Sequence, residues 1–153
     1  MPEYRVRPIR QDDFFWLKDY DCAPLSLERD SVYLFFCVHF SEFSFVSVDD
    51  RARPVGFVLG FLPAGQSVAY VHFLFVEEAM RRRGVGRALM QRFIGAVRAA
   101  GARAVTLYTI RAVAFYERLG FERCAGRFEQ RIADYIREVK GAAPMTLVLG
   151  PDG

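Results

Sequence analysis

A chain of 153 residues, 52% apolar and 15% aromatic, has the material for one hydrophobic core and too much of it for a disordered protein. Its 21 basic residues exceed its 18 acidic ones by too little for a dedicated nucleic-acid binder, and no nucleic-acid module is recognisable. Apolar stretches such as Val32 to Phe40 fall well short of the roughly 20 residues that span a bilayer, and the N-terminus Met-Pro-Glu-Tyr-Arg-Val-Arg has no apolar signal region. Cys22, Cys37 and Cys124 are odd in number and lack metal-ligand spacing. These features predict a cytoplasmic protein, one domain over residues 1–153, with reduced thiols, no metal, no membrane contact and no nucleic-acid partner.

In chain order, Tyr4 to Ile9 alternates as a strand, and Gln11 to about Tyr20 is a helix with Asp12 and Asp13 in its first turn, where negative charge suits the dipole. Asp21 to Asp30 is a loop. Ser31 to Phe40 is taken as helical, although its Tyr, Phe and Val content also permits a buried strand. Glu42 to Val48 and Val55 to Leu62 form a hairpin, and Val68 to Val76 a long central strand. Gly86 to Ala100 is a helix with an apolar stripe of Leu89, Phe93, Ile94 and Val97, closed by Gly101. A strand Arg103 to Thr109, a helix Ala112 to Leu119, a strand Phe121 to Phe128, a helix Glu129 to Lys140 and a strand Met145 to Leu149 complete an α/β order with a mixed sheet.

Chemistry concentrates where the central strand ends, in Phe75-Val76-Glu77-Glu78-Ala79-Met80-Arg81-Arg82-Arg83-Gly84-Val85-Gly86-Arg87. The first amides of a helix lack intrahelical partners and carry partial positive charge, so they suit an anion. Gly84 and Gly86 admit a phosphate to the backbone, and Arg81, Arg82, Arg83 and Arg87 add a positive field. The third glycine of the dinucleotide fingerprint is missing, and no Gly-Lys-Ser/Thr follows. The alternative is an arginine-rich, solvated helix cap.

Arg81-x-x-Gly84-x-Gly86 after a strand resembles the acetyl-CoA diphosphate loop of the GNAT superfamily, the Gcn5-related N-acetyltransferases. Ala112-Val113-Ala114-Phe115-Tyr116-Glu117-Arg118-Leu119-Gly120-Phe121 resembles that superfamily's second motif, at the expected separation. The resemblance implies a GNAT fold, with a central mixed, mostly antiparallel sheet, flanking helices and a splay at the acetyl-CoA site. It also implies acetyl-CoA as cosubstrate, held by Phe75, Val76, Arg81, Arg82, Arg83, Gly84, Val85, Gly86 and Arg87. Thr109 occupies the place where many members carry a cofactor-contacting asparagine.

Transfer of an acyl group from a thioester to an amine needs an oxyanion donor, an acid for the thiolate and a base for the ammonium. The resemblance assigns the first to the backbone N–H of Val76 or Phe75 and the second to Tyr116. A tyrosine at this place also serves as a core aromatic or a pantetheine contact. His72 is the base candidate, on the face of its strand shared with Leu74 and Val76 by alternation. Its segment resembles the histidine-containing strand of arylalkylamine acetyltransferases, and a histidine among apolar residues is also an ordinary packing residue. Glu77, Glu78 and Glu42 are alternatives, with Glu77 and Glu78 expected to pair with the arginines of the turn.

Residues Cys22 to Leu89 resemble the diaminobutyrate acetyltransferases of ectoine synthesis, with departures at Ser26, Glu28 and His72. Asp21, Glu28 and Asp30 are candidate ligands for an ammonium group, and His39 is expected to be structural. The implied acceptor is a primary amine on a small molecule, with an amino acid or diamino acid favoured. A protein N-terminal or lysine acetyltransferase and an inactive CoA-binding sensor are the alternatives. The superfamily's habits place a homodimer contact at the last helix and strand.

Overall fold

The computed structural model describes residues 3–22 and 28–150. Pro24 and Ser26, which enter the sequence reading, lie outside the described residues. Contacts divide the chain into two compact units, one of residues 1–61 and 72–96 and one of residues 62–71 and 97–153. Hydrogen bonding sets the strands in the order β1 (Tyr4–Pro8), β2 (Phe45–Asp49), β3 (Pro54–Phe61), β4 (Val68–Val76), β5 (Ala104–Thr109), β7 (Ala143–Val148) and β6 (Glu122–Arg123). Strand β4, Val68–Val76, gives its second half to the first unit and its first half to the second.

In the first unit, β1 (Tyr4–Pro8), β2 (Phe45–Asp49) and β3 (Pro54–Phe61) pair antiparallel. A 3-10 turn, Gln11–Asp13, leads into the single helical turn α1, Phe14–Leu17, so the first helix is shorter than the sequence predicts. The turn is fixed by a buried carboxylate. Asp13 accepts two bonds from Arg7 at 2.8 Å, one from the Trp16 indole at 2.7 Å and one from the Arg10 amide at 2.7 Å. Helix α2, Asp30–Leu34, continues into a π-turn at Phe35–His39, closed by the Phe40 amide on the Phe35 carbonyl. The extra residue per turn rotates the helix face, so Phe36 and Cys37 are buried together while Leu34, Phe35, Val38 and Phe40 stay exposed. Leu17, Tyr33, Phe36 and Cys37 from this helical layer pack on Val46, Val48, Phe57, Leu59 and Phe75. Burial pushes the Cys22 and Cys37 thiols up, to about 11 and about 12, so both stay protonated.

Helix α3, Val85–Ala99, follows β4, with Val85, Leu89, Met90 and Phe93 buried and Ile94 half-buried. Ser47, in the middle of β2, is fully buried and its hydroxyl has no hydrogen-bond partner among the described residues. An unsatisfied buried hydroxyl is costly, so Ser47→Ala is expected to raise stability by about 1 kcal/mol, read as a rise of roughly 2–4 °C in the melting temperature.

In the second unit, β4 pairs parallel with β5 (Ala104–Thr109) over Val68–Tyr70 and Ala104–Thr106, and the pairing ends there although both strands continue. Strand β7, Ala143–Val148, runs antiparallel to β5. Helix α4, Val113–Arg118, ends at Gly120 in the left-handed region, and α5, Gln130–Glu138, is capped by the Glu129 carboxylate. The strand expected over Phe121 to Phe128 is only β6, Glu122–Arg123. Gly126 turns the chain at φ 57, and the Phe128 amide closes a turn on the Ala125 carbonyl.

Candidate active site

The end of β4 in the first unit is built by backbone anchors. The Glu77 amide donates to the Val55 carbonyl at 2.9 Å, and the Glu77 carboxylate holds the Arg53 guanidinium at 2.7 and 2.9 Å. Glu77 therefore pairs with the β2–β3 hairpin and not with the arginines of the following turn, as the sequence reading expected, because its amide ties it to β3. A 3-10 turn, Glu78–Met80, follows. Arg81 then folds back, its Nε donating to the Val76 carbonyl at 2.9 Å and its guanidinium lying 5.6 Å from the Phe75 ring centre. Arg81 thus fastens the turn to the strand it leaves.

Arg82 and Gly84 both take left-handed backbone, at φ 64 and 86, which side chains tolerate poorly and glycine accepts. The first helical bond of α3 is from the Ala88 amide to the Gly84 carbonyl. None of the amides from Arg82 to Arg87 has an acceptor among the described residues. The side chains of Arg82, Arg83 and Arg87 are exposed, and among the described residues they have no partner. Unpaired donors and guanidinium groups at the positive end of a 15-residue helix give this turn the chemistry that suits an anion.

Gly56 on β3 sits against the last residues of β4. A Cβ at Gly56 would lie 2.8 Å from the Phe75 carbonyl oxygen and 3.4 Å from the Val76 Cα. Backbone cannot yield as a flexible side chain does, so Gly56→Ala is expected to cost about 1–3 kcal/mol in a urea unfolding experiment. It should also displace the Phe75–Val76 amides.

His72 stands in the same unit, and its Nε2 is 2.9 Å from the Glu28 carboxylate. The Glu28 amide donates to the hydroxyl of the fully buried Tyr33 at 3.3 Å. The imidazole stacks on Phe36, with centres 5.3 Å apart and planes 21° from parallel. Phe36 in turn meets Phe40 and Phe61, which stack on each other at 5.0 Å. Phe73 meets the same aromatic layer through Phe57 at 5.3 Å, so adjacent residues of β4 reach one cluster and strict alternation does not hold at 72–73.

In the second unit, Tyr116 on α4 is 6% exposed, its ring set between Phe115 and Phe121. Its hydroxyl has no hydrogen-bond partner among the described residues. Burial pushes this phenol well above its ordinary pKa. The Thr109 hydroxyl accepts the Ala112 amide at 3.1 Å and so caps the approach to α4.

Residues 4–121 match the model of the acetyltransferase (GNAT) family. The chain belongs to that family. It is accordingly an acyltransferase with acetyl-CoA as donor. Among solved structures, it resembles Ard1 from Thermoplasma volcanium at a TM-score of 0.77 and 20% identity, over 97% of this chain and 99% of that one. It resembles N-acetylglutamate synthase from Neisseria gonorrhoeae, complexed with coenzyme A and N-acetyl-glutamate, at 0.77 and 19%, over 96% of this chain and 35% of that one. It also resembles the ribosomal-protein-S18-alanine N-acetyltransferase from Escherichia coli at 0.74 and 16%, over 96% and 94%. No curated protein matches.

For this GNAT acetyltransferase, the sequence reading named the turn after β4 and His72 as candidates, and the structure places both in the first unit. It weighed Glu28 only as an ammonium ligand, and the pairing with His72 across the chain is new. The signal available in sequence was that Glu28 and His72 both depart from the diaminobutyrate acetyltransferase pattern. Glu42 lies in a 3-10 turn, Ser41–Phe43, rather than in the predicted strand. No helix among the described residues is long and apolar enough to cross a membrane, and no group of three metal-ligating side chains occurs among them.

Proposed function

We propose that this chain, as one N-acetyltransferase domain acting in the cytoplasm, transfers acetyl directly from acetyl-CoA to the primary amine of a small molecule. The observation that carries this reading is the run of unpaired amides from Arg82 to Arg87 at the end of β4. These amides, with Arg81, Arg82, Arg83, Gly84, Val85, Gly86 and Arg87, take the diphosphate, and Thr109 lies along the pantetheine. The Val76 or Phe75 amide donates to the carbonyl oxygen as it gains charge. His72 accepts the proton of the incoming ammonium, and Tyr116 donates to the departing sulfur.

An amino acid or diamino acid is the favoured acceptor, on the likeness of residues 22–89 to diaminobutyrate acetyltransferases. Phe36, Phe40 and Phe61 beside His72 would supply an apolar wall for its carbon chain. The second reading is a protein acetyltransferase, favoured by the likeness to the ribosomal-protein-S18-alanine enzyme. A homodimer through α5 and β7 belongs to the first reading, supported by the exposed Ile132, Tyr135 and Val148. The test is product mass after incubation with acetyl-CoA and separate panels of free diamino acids, amino acids and polyamines or short peptides. Preferential acetylation of a free amine is expected. Faster acetylation of peptides would move the function to the second reading, and binding without turnover on any acceptor would make the chain a CoA sensor.

A further inference from the structure

We propose that Glu28 is a positioning residue that holds the His72 imidazole as proton acceptor for the attacking amine; this rests on the acetyl-transfer reading. The contact joins residues 44 positions apart, from the start of the α2 segment to the middle of β4, at 2.9 Å. Three further features fix it. The Glu28 main chain is tied to the Tyr33 hydroxyl, Tyr33 is fully buried, and the His72 ring lies flat on the buried Phe36. Both side chains keep exposure, 26% for His72 and 32% for Glu28, so a substrate can reach them.

The chemistry follows from what each group can do. An ionised carboxylate only accepts hydrogen bonds, so Nε2 of a neutral imidazole carries its hydrogen toward Glu28 and the lone pair lies on Nδ1. The ammonium of the acceptor gives one proton to Nδ1, leaving a neutral amine and an imidazolium. That imidazolium then forms an ion pair with Glu28, and its proton later passes to water. The charged neighbours on the Glu28 segment are Arg29 and Asp30, both exposed, with the Tyr33 phenol beneath. A pair that merely tied the α2 segment to β4 would affect stability and not the order of proton transfer.

Two readouts decide between these roles. The first is the nitrogen NMR spectrum of the imidazoles, which is tractable because the chain has two histidines and His39→Gln assigns them. The native chain is expected to show neutral His72 as the single Nε2–H tautomer, and Glu28→Ala as a mixture; unchanged tautomers in Glu28→Ala would overturn the proposal. The second is turnover of 2-phenylethylamine and its β,β-difluoro analogue, whose ammonium is more acidic and needs a base less. His72→Gln is expected to lower kcat on the first amine about 10²-fold and Glu28→Gln about 10-fold, with acetyl-CoA affinity and urea midpoint unchanged. Both losses should shrink on the difluoro amine. Equal losses on the two amines, or a larger loss from Glu28→Gln than from His72→Gln, would overturn the proposal. Failure of the acetyl-transfer reading would show separately, as no acetylated product from the native chain with any amine, and the tautomer measurement would still decide the hold of Glu28 on His72.

Discussion

Tyr116→Phe is expected to lower kcat about 10²-fold while leaving the dissociation constant of acetyl-CoA nearly unchanged. The substitution removes one oxygen and keeps the ring between Phe115 and Phe121, so packing is preserved. What disappears is a hydroxyl with no partner among the described residues, available to donate to a sulfur that gains charge as the thioester breaks. Burial holds this phenol above its ordinary pKa, which keeps it protonated across the working range. The same desolvation raises the proton affinity of the departing thiolate, so burial alone does not turn the transfer against the donor. The native pH profile should therefore show no alkaline loss from Tyr116 below about pH 10. Steady-state kinetics and calorimetry on both forms check this. An unchanged kcat would make Tyr116 a core aromatic.

The largest expected stability loss is at Asp13. Removing one partner of a buried, hydrogen-bonded ion pair typically costs about 3–5 kcal/mol, and Asp13→Ala leaves Arg7 behind with 17% of its side chain exposed. It also strands the Trp16 indole, which packs on Tyr20 and Phe57 and so ties α1 to the sheet of the first unit. Burial alone would raise the Asp13 pKa, but the bonds from Arg7, Trp16 and the Arg10 amide outweigh it and hold the carboxyl below its ordinary value. A lowered carboxyl pKa contributes stability that is complete above the unfolded value of roughly 3.9 and is lost as pH falls through the folded value. Urea unfolding of the native chain and Asp13→Asn should therefore differ most near about pH 7 and converge in acid. A gap that stayed constant down to about pH 2 would assign the loss to shape rather than charge.

The sequence located β4 to both of its ends, because an apolar run broken only by His72 is bounded by Ser67 and Glu77. It also located α3, whose stripe and terminal Gly101 are local signals. It failed where a local signal was overridden by distant partners. Glu42 and Phe43 look like the start of a strand, yet the Ser44 hydroxyl accepts the Gly60 amide and has its one hydrogen within reach of the Phe40 and Gly60 carbonyls, which holds the chain in a turn before β2. The segment from Phe121 to Phe128 reads as a strand, and only Glu122 and Arg123 pair with β7 before Gly126 turns away. The site divides in the same way. The basic, glycine-containing turn is contiguous, so its residues could be read together from the sequence, whereas Glu28 and His72 lie 44 positions apart and Phe36 reaches the imidazole from a π-turn, which no sequence period signals.

The central claim is that the turn from Arg81 to Arg87 holds the diphosphate of the acetyl donor. The most direct measurement is the affinity of the native chain for acetyl-CoA beside S-acetylpantetheine, which carries the same thioester and lacks the diphosphate. The account predicts that acetyl-CoA binds far more tightly and that Gly84→Val removes most of the difference. Equal affinities for the two thioesters, or a difference that survives Gly84→Val, would contradict it.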